Sequence, residues 1–164
     1  MAEGRCYTLL SHMVSHAGVG HLVLNVLALA ALSPRLVRGL GTDRSGWLRY
    51  AAALVPSGLC GAALYLLLHP TGAVPMVGAS GAIFGVWGAA ARLPPDGGDV
   101  LPIRSRQVVL EVRSAVLANL ILLVPVTLLD LAFDMTGGLA WEAHLGGFLF
   151  GLLAAPHLVR RTPC

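Results

Sequence analysis

The sequence predicts an all-α polytopic membrane protein, a helix bundle with five transmembrane spans. Three observations predict it. Of the 164 residues, 56% are hydrophobic and only 12% charged, against roughly 25% charged in soluble domains, and mean hydropathy is +0.77. Five apolar stretches approach the roughly 17–25 residues that a bilayer core of about 30 Å asks of a helix. The arginines, finally, gather in every second connection between those stretches. A soluble enzyme and a disordered chain are both excluded, because a small globule needs more polar surface than this chain owns. The length fits one membrane domain over residues 1–164.

The first span covers about residues 16–32 and stops at Ser33-Pro34, where proline breaks helices. The second covers about 47–68 and ends at His69-Pro70. The third covers about 76–91, before Arg92 and Pro94-Pro95, and leads into the turn-rich loop of residues 94–100. The fourth covers about 114–133 and the fifth about 139–159, ending at Arg160-Arg161. There is no internal repeat and no low-complexity tract.

All eleven basic residues are arginine. Arg35, Arg38, Arg44 and Arg49 follow span one; Arg92, Arg104, Arg106 and Arg113 follow span three; Arg160 and Arg161 follow span five. Only Arg5 falls on the other side. The positive-inside rule makes the arginine side cytoplasmic and the protein a multi-pass component of the cell membrane. The amino terminus then lies outside without a signal sequence, as if one upstream span were missing. Scattered arginines with a net charge of +3 make no case for nucleic acid. Cys6, Cys60 and Cys164 lack metal-ligand spacing, so neither a metal, a cofactor nor a disulfide framework is expected.

Polar side chains inside spans are costly and therefore candidates for function. Four stand out: His21 and Asn25 in span one, Ser80 at the start of span three, and His144 near the start of span five. His21 and Asn25 are four apart and share a helix face. Ser80 begins a helix, beside unpaired N–H groups and the positive dipole end. The topology puts all four toward the outer half of the membrane, where they are able to converge.

Together they have the parts of an acyl-transfer enzyme. A serine hydroxyl is a weak nucleophile until a base takes its proton, and histidine is the usual base. Asn25, His21 and the Ser80 backbone N–H offer donors for the negative oxygen of a tetrahedral intermediate, each worth about 10²–10³ in turnover. No carboxylate is clearly placed to orient His144, so a Ser-His dyad is expected. Taken singly, each residue has a plainer reading. A membrane serine usually bonds a carbonyl one turn back, and His21 and Asn25 would serve to join helices. His12, His69 and His157 read as interfacial. The combination carries the claim. Gly81, Gly85 and Gly88 in span three and Gly147 and Gly151 in span five are small residues at packing spacing. If the two spans pack through them, Ser80 and His144 come within reach of each other.

These residues resemble the motifs of the rhomboid family of intramembrane serine proteases. The run His16-Ala-Gly-Val-Gly-His21-Leu-Val-Leu-Asn25 is similar to its H-x-x-x-N helix. Gly78-Ala79-Ser80-Gly81 resembles its G-x-S-G, and Ala143-His144-Leu-Gly-Gly147-Phe-Leu-Phe-Gly151 its A-H-x-x-G-x-x-x-G. The likeness covers about residues 5–157. It implies a rhomboid-like bundle that cleaves peptide bonds in or near transmembrane segments of protein substrates within the lipid bilayer. Ser80 would be the nucleophile and His144 the base, with His21, Asn25 and the Ser80 backbone holding the oxyanion. Gly78 would shape the approach to the serine, His16 would face the cavity above it, and residues 134–141 would form a flexible cap. Two departures are visible. The family's first core helix and the loop after it are missing here. Many relatives also carry a glutamate near the end of the His-Asn helix, where this chain reads Pro34-Arg35-Leu36-Val37-Arg38.

The alternative is a non-catalytic binder or chaperone of transmembrane helices on the same fold, inactive for want of that first helix. A zinc enzyme would need H-E-x-x-H, which is absent. An aspartyl enzyme would need facing intramembrane aspartates, and Asp130 and Asp134 lie together at one helix end. A transporter would show broken-helix repeats.

Overall fold

The structure, a computed structural model, describes residues 7–70, 76–95, 99–133 and 140–159, without the side chains of residues 126, 127 and 129–133. The described residues are helical: α1 (Thr8–Ser11), α2 (Val19–Leu40), α3 (Arg44–Leu68), α4 (Ser80–Ala91), α5 (Arg106–Phe133) and α6 (Trp141–Leu158). Helices α2 to α6 correspond to the five apolar stretches, and α1 is a single turn that the apolar pattern does not announce. By length and composition, α2, α3 and the Arg106–Pro125 part of α5 are long and apolar enough to cross a membrane.

Helix α4 is the centre of the bundle. Ten of its twelve residues are buried, most of them alanine or glycine. It packs between α3 and α6, and their glycines let the backbones meet. A β-carbon on Gly85 would fall 1.9 Å from Ser57 Oγ of α3, and one on Gly88 would fall 2.1 Å from the Phe148 carbonyl of α6. By contrast, α2 and α5 turn leucine and isoleucine outward: Leu24, Leu27, Leu117 and Ile121 are all exposed. An apolar outer surface over a small-residue interior suits a lipid solvent, which adds no hydrophobic drive between helices.

Two boundaries differ most from the sequence reading. Helix α2 does not stop at Ser33-Pro34; it continues through Pro34 to Leu40. An internal proline removes one hydrogen bond and crowds the preceding turn, at about 3 kcal/mol in a helix interior. The extra turns are held by tertiary contacts that outweigh this. Leu36 and Leu40 are fully buried against Ala53, Val86, Ala89 and Ala155. Arg35 donates to the Leu93 carbonyl and pairs with Glu111 of α5. Glu111 in turn accepts from Trp87 Nε1 at 2.8 Å. Thus Arg35 has its acidic partner across the bundle.

Helix α5 also begins at Arg106 rather than near residue 114. Ser105 caps it, its Oγ accepting from Val108 N at 3.3 Å, and Val108 and Ala115 bury one face against Phe84, Phe148 and Leu152. Arg106, Glu111 and Arg113 ride on its first two turns. At α3, Asp43 is the N-cap, accepting from Gly46 N at 3.1 Å.

Candidate active site

Ser80 is the first residue of α4 and is half-buried. Gly78, two residues earlier, has φ +115°, a left-handed conformation that favours glycine. Its N–H donates to the His12 carbonyl at 2.8 Å, which ties the approach to α4 onto the segment after α1. His12 itself is buried, with Nδ1 3.2 Å from the Thr8 carbonyl.

The register of α4 on α6 is set by glycine. A β-carbon on Gly147 would fall 1.8 Å from the Gly81 carbonyl oxygen, and one on Gly151 would fall 1.9 Å from that of Gly85. Gly81 in turn faces the Ala143 carbonyl, 3.0 Å from where its β-carbon would stand. Ser80 precedes Gly81, and His144 lies nearly one turn before Gly147. Backbone contact at the glycines therefore brings these two side chains together, with His144 Nε2 2.8 Å from Ser80 Oγ. His144 is only 2% exposed. Its ring stacks on Phe84 of α4 with centroids 4.3 Å apart and planes 1° from parallel.

His21 and Asn25 stand on the other side of Gly78. A β-carbon there would lie 2.8 Å from His21 Nε2, too close for the imidazole to stay in place, and 3.8 Å from Asn25 Nδ2, an ordinary contact. Asn25 is buried, and its Nδ2 donates one hydrogen to the His21 carbonyl at 2.9 Å. His21 Nδ1 accepts from Ala17 N at 3.4 Å. A neutral ring that accepts at Nδ1 carries its hydrogen on Nε2, the atom facing Gly78. His16 meets His21 edge to face at 5.3 Å, and its Nε2 is buried without a hydrogen-bond partner among the described residues. Ser80, His144, Gly78, His21, Asn25 and His16 thus form one connected cluster. Gly81, Gly147 and Gly151 lie beneath it, as packing.

One polar contact escaped the sequence reading. Asn119 of α5 places Oδ1 2.7 Å from His144 Nδ1. The cost of burying polar groups in a span, which singled out the other four residues, applies equally to Asn119 and would have found it. An apolar cleft lined by Phe84, Val112, Ala115, Asn119, His144 and Phe148 runs beside it, between α4, α5 and α6. Glu142, also buried, lies 3.6 Å from His69 Nε2, and His69 stacks on Tyr65. The side chain of Asp130, Asp134 and most of the expected cap over residues 134–141 lie outside the described residues. Among the described residues no three His, Cys, Asp or Glu side chains are grouped to hold a metal.

The Rhomboid domain family matches residues 3–161. The chain belongs to the rhomboid family. It is 31% identical to RHOMBOID-like protein 5 of Arabidopsis thaliana, over 91% of this chain and 43% of that protein. It is 30% identical to the rhomboid protease GluP of Bacillus subtilis, over 96% of this chain and 27% of that protein. RHOMBOID-like protein 1 of Arabidopsis thaliana is 32% identical over 84% of this chain and 31% of its own length. The chain therefore spans less than half the length of these relatives. No solved structure matches it. Apolar helices and rhomboid membership together make it an integral membrane protein, of a family that includes a protease.

Proposed function

We propose that this rhomboid is an intramembrane serine endopeptidase that cuts peptide bonds in or near transmembrane segments of other membrane proteins. The observation that carries the reading is the 2.8 Å separation of Ser80 Oγ and His144 Nε2. In this mechanism Oγ attacks the scissile carbonyl carbon while its proton passes to Nε2. The carbonyl π electrons move to oxygen, and that oxyanion is met by the Ser80 N–H, His21 Nε2–H and the second hydrogen of Asn25 Nδ2. Collapse breaks the C–N bond, and Nε2 gives its proton to the leaving amine. Water then attacks the Ser80 ester with the same proton path, releasing the second peptide and restoring the pair. His16 Nε2, buried and unpaired among the described residues, is left to bind substrate or water.

In this reading α2 to α6 all lie within the membrane and carry the chemistry there. Helix α4 rises only about 18 Å at 1.5 Å per residue, short of the roughly 30 Å hydrocarbon core. With its Arg92 end at the arginine-rich, cytoplasmic face, Ser80 lies below the outer surface, toward the extracytoplasmic side of the cell membrane. A substrate helix hides its carbonyls in hydrogen bonds and must unwind to present one. Cleavage of a reporter transmembrane protein in liposomes tests the reading. The parent chain cuts, and Ser80→Ala and His144→Ala do not. A parent chain that binds the reporter helix without ever cutting it would instead establish the binder.

A further inference from the structure

We propose that Asn119 of α5 is a positioning residue for His144, holding the imidazole in the tautomer that leaves Nε2 bare toward Ser80. The inference rests on the protease reading above and adds a third member to its dyad. It starts from the 2.7 Å contact between His144 Nδ1 and Asn119 Oδ1. An amide oxygen only accepts, so the hydrogen between these atoms belongs to Nδ1. The orientation of the amide follows from its other end, whose Nδ2 donates to the Trp141 carbonyl at 3.5 Å. A carbonyl cannot donate, so Nδ2 belongs on that side and Oδ1 on the side of the ring. A neutral imidazole protonated at Nδ1 has its lone pair at Nε2, 2.8 Å from Ser80 Oγ and ready to accept its proton.

The opposite tautomer would set two lone pairs against each other across 2.7 Å in a site that is 2% exposed. It would also aim an N–H at the hydroxyl that must lose a proton. Phe84, stacked on the ring face, limits tilting but has no polar atom and so cannot choose between the nitrogens. Asn119 supplies that choice. It does so with a neutral group, which suits an orienting partner on α5 better than a carboxylate, since ionised side chains are costly at membrane depth. Its neighbours Leu117, Leu120 and Ile121 are exposed and apolar, and the amide is a polar group that α5 brings to the site.

The test uses the full chain with ¹⁵N-labelled histidine in detergent micelles, at a pH where the rings are neutral. The His144 resonances, assigned with His144→Ala, are expected to show a protonated Nδ1 and a bare Nε2. A His144 protonated at Nε2 in the parent chain overturns the proposal, whatever any variant does. In the reporter assay, Asn119→Leu is expected to lower kcat about 10–100-fold, by analogy with the loss when the outer partner of a metal-ligating histidine is removed. KM stays unchanged, and the Nε2–H tautomer gains population. Asn119→Asp keeps an acceptor and turns over faster than Asn119→Leu. A folded Asn119→Leu with the parent's kcat contradicts the proposal. If the parent chain cuts no reporter at all, the protease reading fails instead, and the tautomer alone decides the part played by Asn119.

Discussion

Gly147 of α6 lies directly against Gly81 of α4: a β-carbon at position 147 would fall 1.8 Å from the Gly81 carbonyl oxygen. No rotamer relieves that overlap, because both partners are backbone. Gly147→Ala is therefore expected to push α6 off α4, to lower the thermal unfolding temperature in detergent, and to abolish cleavage. Overpacking of this kind costs about 1–3 kcal/mol or more. Gly20→Ala on α2 is the control. Its β-carbon meets nothing within 4 Å, and exchanging glycine for alanine in a helix gains about 0.5–1 kcal/mol. Equal melting of the two variants would contradict the packing account.

Gly78→Ala is expected to separate stability from turnover. The position has φ +115°, and an added methyl would meet His21 Cε1 at 2.7 Å and Nε2 at 2.8 Å. The left-handed backbone costs an alanine about 1–2 kcal/mol, which a bundle of this burial is expected to survive. The displaced imidazole no longer reaches the oxyanion, so kcat falls by about 10²-fold or more. Circular dichroism checks the fold and the reporter assay checks the rate.

Asn25→Ala removes a donor without touching the dyad. Loss of one oxyanion donor lowers kcat by about 10²–10³. Labelling of Ser80 by an acylating probe is retained but slowed, because nucleophile and base are intact. Parent-like turnover in Asn25→Ala would remove this residue from the mechanism.

The pair Arg35–Glu111 joins α2 to α5, and both side chains are largely covered, at 20% and 24% exposure. Glu111→Ala strips the partner from Arg35 and the acceptor from Trp87 Nε1. Hydrogen bonds to charged groups contribute about 1.5–3 kcal/mol each, so a lower melting temperature is expected, with a smaller drop for the exposed Arg38→Ala. The double reversal Arg35→Glu with Glu111→Arg recovers part of the loss, which a double-mutant cycle measures.

Much of this was legible in the residues alone. The helices and their order follow from apolar runs punctuated by Arg and Pro. The cluster of Ser80, His144, His21 and Asn25 follows from the cost of polar atoms among lipid. What stayed hidden depends on partners distant in the chain. Pro34 reads as a stop, and only the burial of Leu36 and Leu40 and the bonds of Arg35 show why the helix goes on. Arg106 to Arg113 reads as a polar connection until Glu111 finds Arg35 and Val108 finds the core. Asn119 sat in plain view inside an apolar helix. Its meaning depends on facing His144, and no spacing within α5 encodes that.

The central claim is that Ser80 is a nucleophile activated by His144. Its most direct test is labelling of the full chain with a serine-directed fluorophosphonate, followed by mapping of the modified peptide. The account predicts a single adduct on Ser80, absent in Ser80→Ala and reduced to background in His144→Ala. A chain that cleaves a transmembrane reporter while Ser80 remains unmodified would contradict it.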